Sequence, residues 1–468
     1  MLFSSTTFIF GFLLLLLILY FPIKNIKYRN TILLIFSLIF YSWGEPKYIV
    51  LMLLTVLIVY IFGLKMNGTK SIKSKRIYLI LSIFLLLLNL FIFKYLDFSI
   101  GILNSIFKSN INKINLVLPI GISFYTFQIL SYVIDLYRGN VKVQKNYFRL
   151  LLYVSFFPQL IAGPIVRYET VENEIGNRKT TIESFIFGFK RFIWGLGKKV
   201  IIANNVAYFC DYVYSNYTLY GSGILWVASI CYTLQIYFDF SGYSDMAIGL
   251  GKMFGFNFLE NFNYPYIAKS ITDFWRKWHI SLSSFFRDYV YIPLGGNRVS
   301  KTKLIRNIFI VWTLTGIWHG ASYNFILWGL YYALILLVEK LFLSKYLEKL
   351  PNIVKLLYSL LLINIGWVIF RIENLSDLLQ ILNNLFIFKE SNWLELFKAN
   401  AMLIVSIPYI FIGIVFSTPI DKWFHNKVEK SDSILLTLIE DLILGIVFGY
   451  SIMLLVSNSY NPFIYFRF

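Results

Sequence analysis

Apolar runs near the ~20 residues that carry a helix across a bilayer recur along almost the whole chain. The clearest cover residues 6–22, 31–44, 47–64, 77–96, 222–239, 323–343, 353–370, 400–417 and 434–456. Weaker or interrupted runs lie around 116–137, 147–166, 184–208 and 305–317. Short alternating segments of the kind that build a membrane barrel are absent. The pattern predicts an all-α, polytopic integral membrane protein with about 11–13 membrane helices. The first run lacks a basic segment before it and a small-residue cleavage site after it, and reads as a retained span. No linker, repeat or low-complexity tail divides the chain, which reads as a single membrane domain over 1–468: N-terminal spans in 1–100, a core in 116–343, and C-terminal spans in 344–468.

The pattern breaks between about 232 and 320. In Tyr237-Phe238-Asp239-Phe240-Ser241-Gly242-Tyr243-Ser244-Asp245, two carboxylates, two serines and a glycine interrupt an apolar helix. Either Asp245 caps a following helix, or Asp239 or Asp245 shapes an internal polar site, since irregular backbone at membrane depth needs protein or a water-filled cavity around it. From Asp273 through His279 to Pro293, aromatic and basic residues interleave without a long apolar run. That suits interfacial helices, with tryptophan at headgroup level and Arg or Lys towards phosphates. Leu294-Gly295-Gly296-Asn297 reads as a tight turn.

Composition agrees with the pattern: 58% of residues are hydrophobic and 19% aromatic, with a mean hydropathy of +0.67. The formal charge of +19 sits in loops. Lys24, Lys27 and Arg29, then Lys65, Lys70, Lys73, Lys75 and Arg76, then Arg138, Lys142 and Lys145 fall on one side if each intervening span crosses once. Positive loops face the cytoplasm, so the N-terminus is expected outside and the charge is expected to meet anionic lipid, with no role for nucleic acid. Cys210 and Cys231 lie in or beside apolar segments, and with only three histidines neither a disulfide framework nor a metal cluster is expected.

Ionisable groups at membrane depth read by default as functional. His319, in Gly316-Ile317-Trp318-His319-Gly320, has apolar sequence on both sides. It is either a neutral residue bonded to a neighbouring helix or a reactive one; His279 is either an interfacial hydrogen-bonding residue or a second functional group. Gly195-Leu196-Gly197-Lys198-Lys199 lacks the rest of a phosphate loop, and Gly249-Leu250-Gly251 with Gly255 misses the dinucleotide spacing. No serine-nucleophile elbow or zinc-protease motif is present. These glycines suit close helix packing. What remains is a histidine without a nucleophile of its own. Its ordinary pKa of ~6.5 suits a general base that takes a proton from an external hydroxyl attacking a thioester.

At these residues the chain resembles the membrane-bound O-acyltransferase superfamily, in its bacterial alginate-acetylating branch, with the teichoic-acid D-alanylation protein more distant. The resemblance rests on Leu118 to Gln128 with Tyr132 and Asp135, Phe156 to Ile165, Asp239 to Asp245 with His279 and Arg287, and Gly316 to Gly320 with Asn324, Trp328 and Gly329. The C-terminal Asn461 to Phe468 also looks like that branch. It implies a fold with interfacial helices and a central polar tunnel, in which His319 is catalytic and His279 a second functional histidine. Asp239, Asp245, Trp318, Asn324, Arg287 and Gln128 become substrate-tunnel candidates. The implied activity is O-acetylation of a cell-envelope or extracellular polysaccharide by a multi-pass protein of the bacterial cell membrane. No cofactor is expected to be bound; acetyl-CoA or an acetylated carrier would be the cytoplasmic co-substrate. An extracytoplasmic esterase-fold transferase would complete the transfer. The alternatives are D-alanyl transfer to teichoic acid, a transporter or flippase without covalent chemistry, and an inactive scaffold. His425 matches nothing in the family pattern and reads as a surface residue.

Overall fold

A computed structural model describes residues 1–431, 433–457 and 460–464. The last four residues of the C-terminal motif, Tyr465 to Phe468, lie outside the described residues. Among those described, every regular element is helical. By length and composition six helices can cross a membrane: Ile49–Gly68, Ile72–Phe107, Ser222–Met253, Tyr323–Leu347, Asn352–Arg371 and Ile434–Ser457. The pair Trp393–Ala399 and Met402–Phe416, bent by 116°, makes a seventh if it is one span. This is fewer than the 11–13 apolar runs suggest. The remaining runs form shorter helices, such as Thr7–Tyr20 and Tyr147–Ser155, or helices with a charged first turn, Ile26–Gly44 and Lys301–His319.

The chain forms two compact units. The first comprises Met1–Phe192 and Ser244–Leu259. Its helices Ile26–Gly44, Ile49–Gly68, Ile72–Leu90 and Ile122–Arg138 start from side-chain caps where the sequence supplies them, as at Asn25 and Ser71. Ile122–Arg138 starts from Gly121 at φ +75°, where an added Cβ would lie 2.6 Å from the Leu160 carbonyl. Phe3, Phe8, Phe12, Phe40 and Phe157 form one aromatic core. The buried Arg178 donates to Asn30 Oδ1 (2.6 Å) and the Phe254 carbonyl (2.9 Å), satisfying its charge-bearing head. Gly188 and Gly249 allow backbone contact, each added Cβ falling within 2.5 Å of the other's carbonyl.

The second unit comprises Ile193–Tyr243 and Glu260–Phe468. Its centre is the helical pair Lys301–His319 and Tyr323–Val338, joined by a short turn. A Cβ on Gly316 would lie 2.3 Å from the Phe325 carbonyl, and one on Gly329 would lie 2.4 Å from that of Trp312. The two backbones therefore touch, and the last turn, which carries His319, is held rigidly.

One expectation is corrected here. The polar run 239–245 does not interrupt its helix: Ser222–Met253 is continuous over 32 residues. Each carboxylate is ion-paired, Asp239 with Lys199 at 2.5 Å and Asp245 with Arg191 at 2.6 Å, so each buried charge has a partner of opposite sign.

Candidate active site

The second unit contains an open cavity of about 860 Å³. Ile308, Val311, Trp312, Thr315 and His319 form one wall, spaced as one face of the Lys301–His319 helix. That face extends about 16 Å at 1.5 Å per residue. Leu336, Glu339 and Lys340 come from the helix paired with it, and residues of the short helices between 270 and 291 complete the lining. The interfacial segment predicted from its composition is thus three short pieces, Ile271–Lys277, Ile280–Phe286 and Arg287–Tyr291.

His279 lies at the break between the first two pieces, in the left-handed region at φ 44°, ψ 55°. A non-glycine residue held there carries strain of about 1–3 kcal/mol, and such strain clusters at functional sites. Asn261 and its neighbour keep it there: Ile280 N–H donates to the Asn261 carbonyl (2.9 Å) and Asn263 N–H to that of Lys277 (3.0 Å). The Asn261 side chain then sets the imidazole. Its Oδ1 accepts Ser281 N–H at 3.1 Å, which identifies that atom as an acceptor, and it lies 3.2 Å from His279 Nδ1. Nδ1 therefore carries the proton and Nε2 the lone pair. Phe240 stands edge-on to the ring at 4.6 Å. Burial among such groups pushes the imidazole down to about 3, so it is neutral across the physiological range.

His319 is buried, 5% exposed, and lines the same cavity. Its ring is surrounded by Trp318 (5.0 Å), Trp328 (5.0 Å), Phe370 (5.1 Å) and Phe325 (6.5 Å). Trp318 also lies 6.0 Å from the His279 ring, so one indole contacts both histidines. Asn324 Nδ2 donates to the Phe370 carbonyl (2.8 Å), tying down the last turn of helix Asn352–Arg371, which brings Phe370 to His319.

The lining also carries charge. Lys269, Arg276, Arg287, Lys340 and Lys355 contribute cations against Asp273, Glu339 and Glu348. Lys340 is about 25 Å along its helix from the turn beside His319. Glu339 is committed elsewhere: it is buried and accepts from Ile271 N–H (2.6 Å), Thr272 N–H (2.9 Å), the Thr272 hydroxyl (2.7 Å) and Tyr358 (3.2 Å). It thereby caps the helix leading to His279. Arg287 is largely exposed and pairs with Asp288 at 2.7 Å, which holds its proton more tightly.

Of the residues singled out from sequence, His319, His279 and Arg287 line the cavity. Trp318, Asn324 and Asp239 belong to the same unit but stand off the lining. Asp245 and Gln128 belong to the first unit. Gln128 is fully buried there, its carbonyl accepting from Ser131 and Tyr153. His425 lies off the cavity, half-exposed, with Nδ1 2.8 Å from Glu440. Sequence reading missed Asn261, Glu339 and Lys199. A carboxylate inside the apolar run 323–343 was a visible signal for Glu339. Asn261 sits in a loop with no periodicity to mark it.

Helices long and apolar enough to cross a bilayer define an integral membrane protein, and its second unit holds a cavity lined by two histidines. The sequence signature of the membrane-bound O-acyltransferase (MBOAT) family matches residues 141–370. The chain is 39% identical to a probable alginate O-acetylase of Pseudomonas putida over the full length of both. It is 37% identical to a peptidoglycan O-acetyltransferase of Helicobacter pylori, covering 82% of this chain and 80% of that protein. A teichoic acid D-alanyltransferase of Bacillus subtilis is 32% identical over 47% of this chain and 59% of its own. The chain belongs to the membrane-bound O-acyltransferase family, in its alginate O-acetylase-like branch, and is an acyltransferase.

Proposed function

We propose that this protein is a membrane O-acetyltransferase that takes acetyl from a cytoplasmic thioester donor, acetyl-CoA or an acetylated carrier, and passes it on for O-acetylation of an envelope or extracellular polysaccharide. The observation that supports this reading is that His319 and His279 line one cavity that also carries lysines and arginines, with Lys340 about 25 Å along its helix from the turn beside His319. An anionic donor suits these basic side chains, and its acetyl group suits the apolar, tryptophan-rich stretch before the histidines. His319 takes the proton of an acceptor hydroxyl as its oxygen forms a bond to the thioester carbonyl. The C–S bond then breaks and the proton passes from the imidazolium to the leaving thiolate, so the histidine ends as it began. With Nδ1 committed to Asn261, His279 offers its Nε2 lone pair to orient the hydroxyl or relay its proton. The relatives named for alginate and peptidoglycan favour a polysaccharide as the final acceptor. An extracytoplasmic esterase-fold partner whose serine receives the acetyl first is consistent with that direction of transfer.

The test is ester-linked acetate in envelope polysaccharide fractions from wild type, a deletion strain and a His319→Ala strain, with membrane levels of the variant checked. Loss in both mutants is expected, with transfer by the variant down about 10²–10⁴-fold. Full acetylation by His319→Ala overturns the general-base assignment. Unchanged acetate in the deletion, with D-alanine esters falling instead, moves the assignment to D-alanyl transfer.

A further inference from the structure

The buried pair Lys199–Asp239 has no part in the large cavity, and both side chains are almost completely shielded, 2% and 1% exposed. An ion pair so placed is expensive to desolvate and contributes little net stability, so a positional role is the natural question. Its remaining hydrogen-bonding capacity is spent on one target. Asp239 Oδ2 accepts the backbone N–H of Ile464 at 2.8 Å, and Lys199 Nζ donates to the carbonyl of Pro462. The two charges thus grip the peptide groups on either side of Phe463, whose ring lies 5.0 Å from Tyr243 and 5.7 Å from the Lys199 ammonium. Asn204 adds a bond to Asn461 (3.1 Å), and Tyr460 bonds Asp211.

The segment held in this way reaches the surroundings of His319. Pro462, Phe463 and Ile464 line a small second cavity together with Phe325, Phe370 and Arg371. Phe325 and Phe370 are also ring neighbours of His319, at 6.5 and 5.1 Å, and neither lines the large cavity. The large cavity is thus lined by His319 itself, and the small one by two rings of the aromatic shell of His319.

We propose that Lys199 and Asp239 are positioning residues, a buried clamp that docks segment 460–464 by its backbone so that it closes the small-cavity side of the His319 site. The clamp is directional: a carboxylate must face the N–H and an ammonium the carbonyl. Exchanging the charges, Lys199→Asp with Asp239→Lys, keeps a neutral buried pair but turns a cation towards the N–H and an anion towards the carbonyl. The consequence for activity rests on the acyl-transfer reading above; the docking itself does not.

The experiment uses the full chain in membranes, carrying Ile464→Cys as a reporter and a membrane-permeant maleimide as the probe, with the parent lacking Ile464→Cys as control. With the native pair, the buried position 464 is protected from labelling. In the exchanged pair, labelling rises at least tenfold and ester-linked acetate falls at least tenfold at equal protein level. In Lys199→Gln with Asp239→Asn, where amides retain one donor and one acceptor, protection is retained. Equal labelling of native and exchanged pairs overturns the clamp, as does loss of protection in the amide pair. If labelling rises while acetate is unchanged, the segment does not close the site. If the exchanged protein fails to accumulate, the amide pair decides by the same labelling. Absence of acetate transfer by the parent, with position 464 protected, rejects the acyl-transfer reading while leaving the clamp standing.

Discussion

Asn261 shows how a single amide controls the chemistry open to a neighbour. Its Oδ1 receives Ser281 N–H and faces His279 Nδ1, which leaves Nε2 as the basic nitrogen. Asn261→Leu removes that acceptor, and acyl transfer is expected to fall about 10²-fold at every pH. Asn261→Asp keeps the acceptor and adds a negative charge about 3 Å away, which favours the imidazolium and raises the His279 pKa from about 3. As pH falls through the new value, Nε2 gains a proton and loses its lone pair. Activity of Asn261→Asp therefore declines at a higher pH than wild type, and rates between about pH 5 and 8 read this directly. A superimposable profile would remove Asn261 from the mechanism. The sign for stability is the same: the fold keeps His279 neutral while an unfolded chain protonates near 6.5, so acid below that value favours unfolding. From sequence His279 was visible as a residue type in an unusual context, but its tautomer depends on a side chain 18 residues away.

At the scale of elements, His319 is placed by two glycines that let their helices meet backbone to backbone. Gly316→Leu must displace the Phe325 carbonyl, 2.3 Å from the new Cβ. A loss of about 3 kcal/mol is expected, seen as a lower Tm and reduced accumulation. Gly445→Leu, where nothing lies within 4 Å of the added Cβ, is the control and should leave Tm unchanged or slightly raised. Equal effects of the two would show that the hairpin is not held at Gly316. The helical periods of both partners were readable in the chain, and so was the small-residue motif before His319. Which face of each helix bounds the cavity was not: Tyr323–Val338 is apolar nearly all round, so its periodicity carries no direction, and the charges of Lys301–His319 crowd its first turns and leave the part near His319 unmarked.

For the whole molecule, charge placement makes the topology testable. Basic loops at 24–29, 65–76 and 138–145 are expected in the cytoplasm and the N-terminus outside. A tag before Phe3 should be cleaved by protease added to intact cells, and one inserted at Lys70 only after the membrane is opened. The reverse pattern would invert the proposed direction of acetyl transfer. The number of spans was less legible than their existence. Apolar runs of similar length fold into helices as different as Tyr147–Ser155, of 9 residues, and Ile72–Phe107, of 36.

Membrane class and all-helical content followed from the chain alone, since apolar periodicity is a local property; the family, and the choice of His319 and His279 as candidates, followed from the resemblance of its motifs. The tertiary structure alone decided what each buried polar group meets. The run 239–245 looked like a broken helix, but the helix is continuous and its two carboxylates meet Lys199 and Arg191, which arrive from elsewhere in the chain. Asp239 looked like a tunnel residue, and it reaches a backbone N–H 225 positions away at Ile464. Burying a charge demands a partner, but the demand says nothing of where along the chain that partner lies.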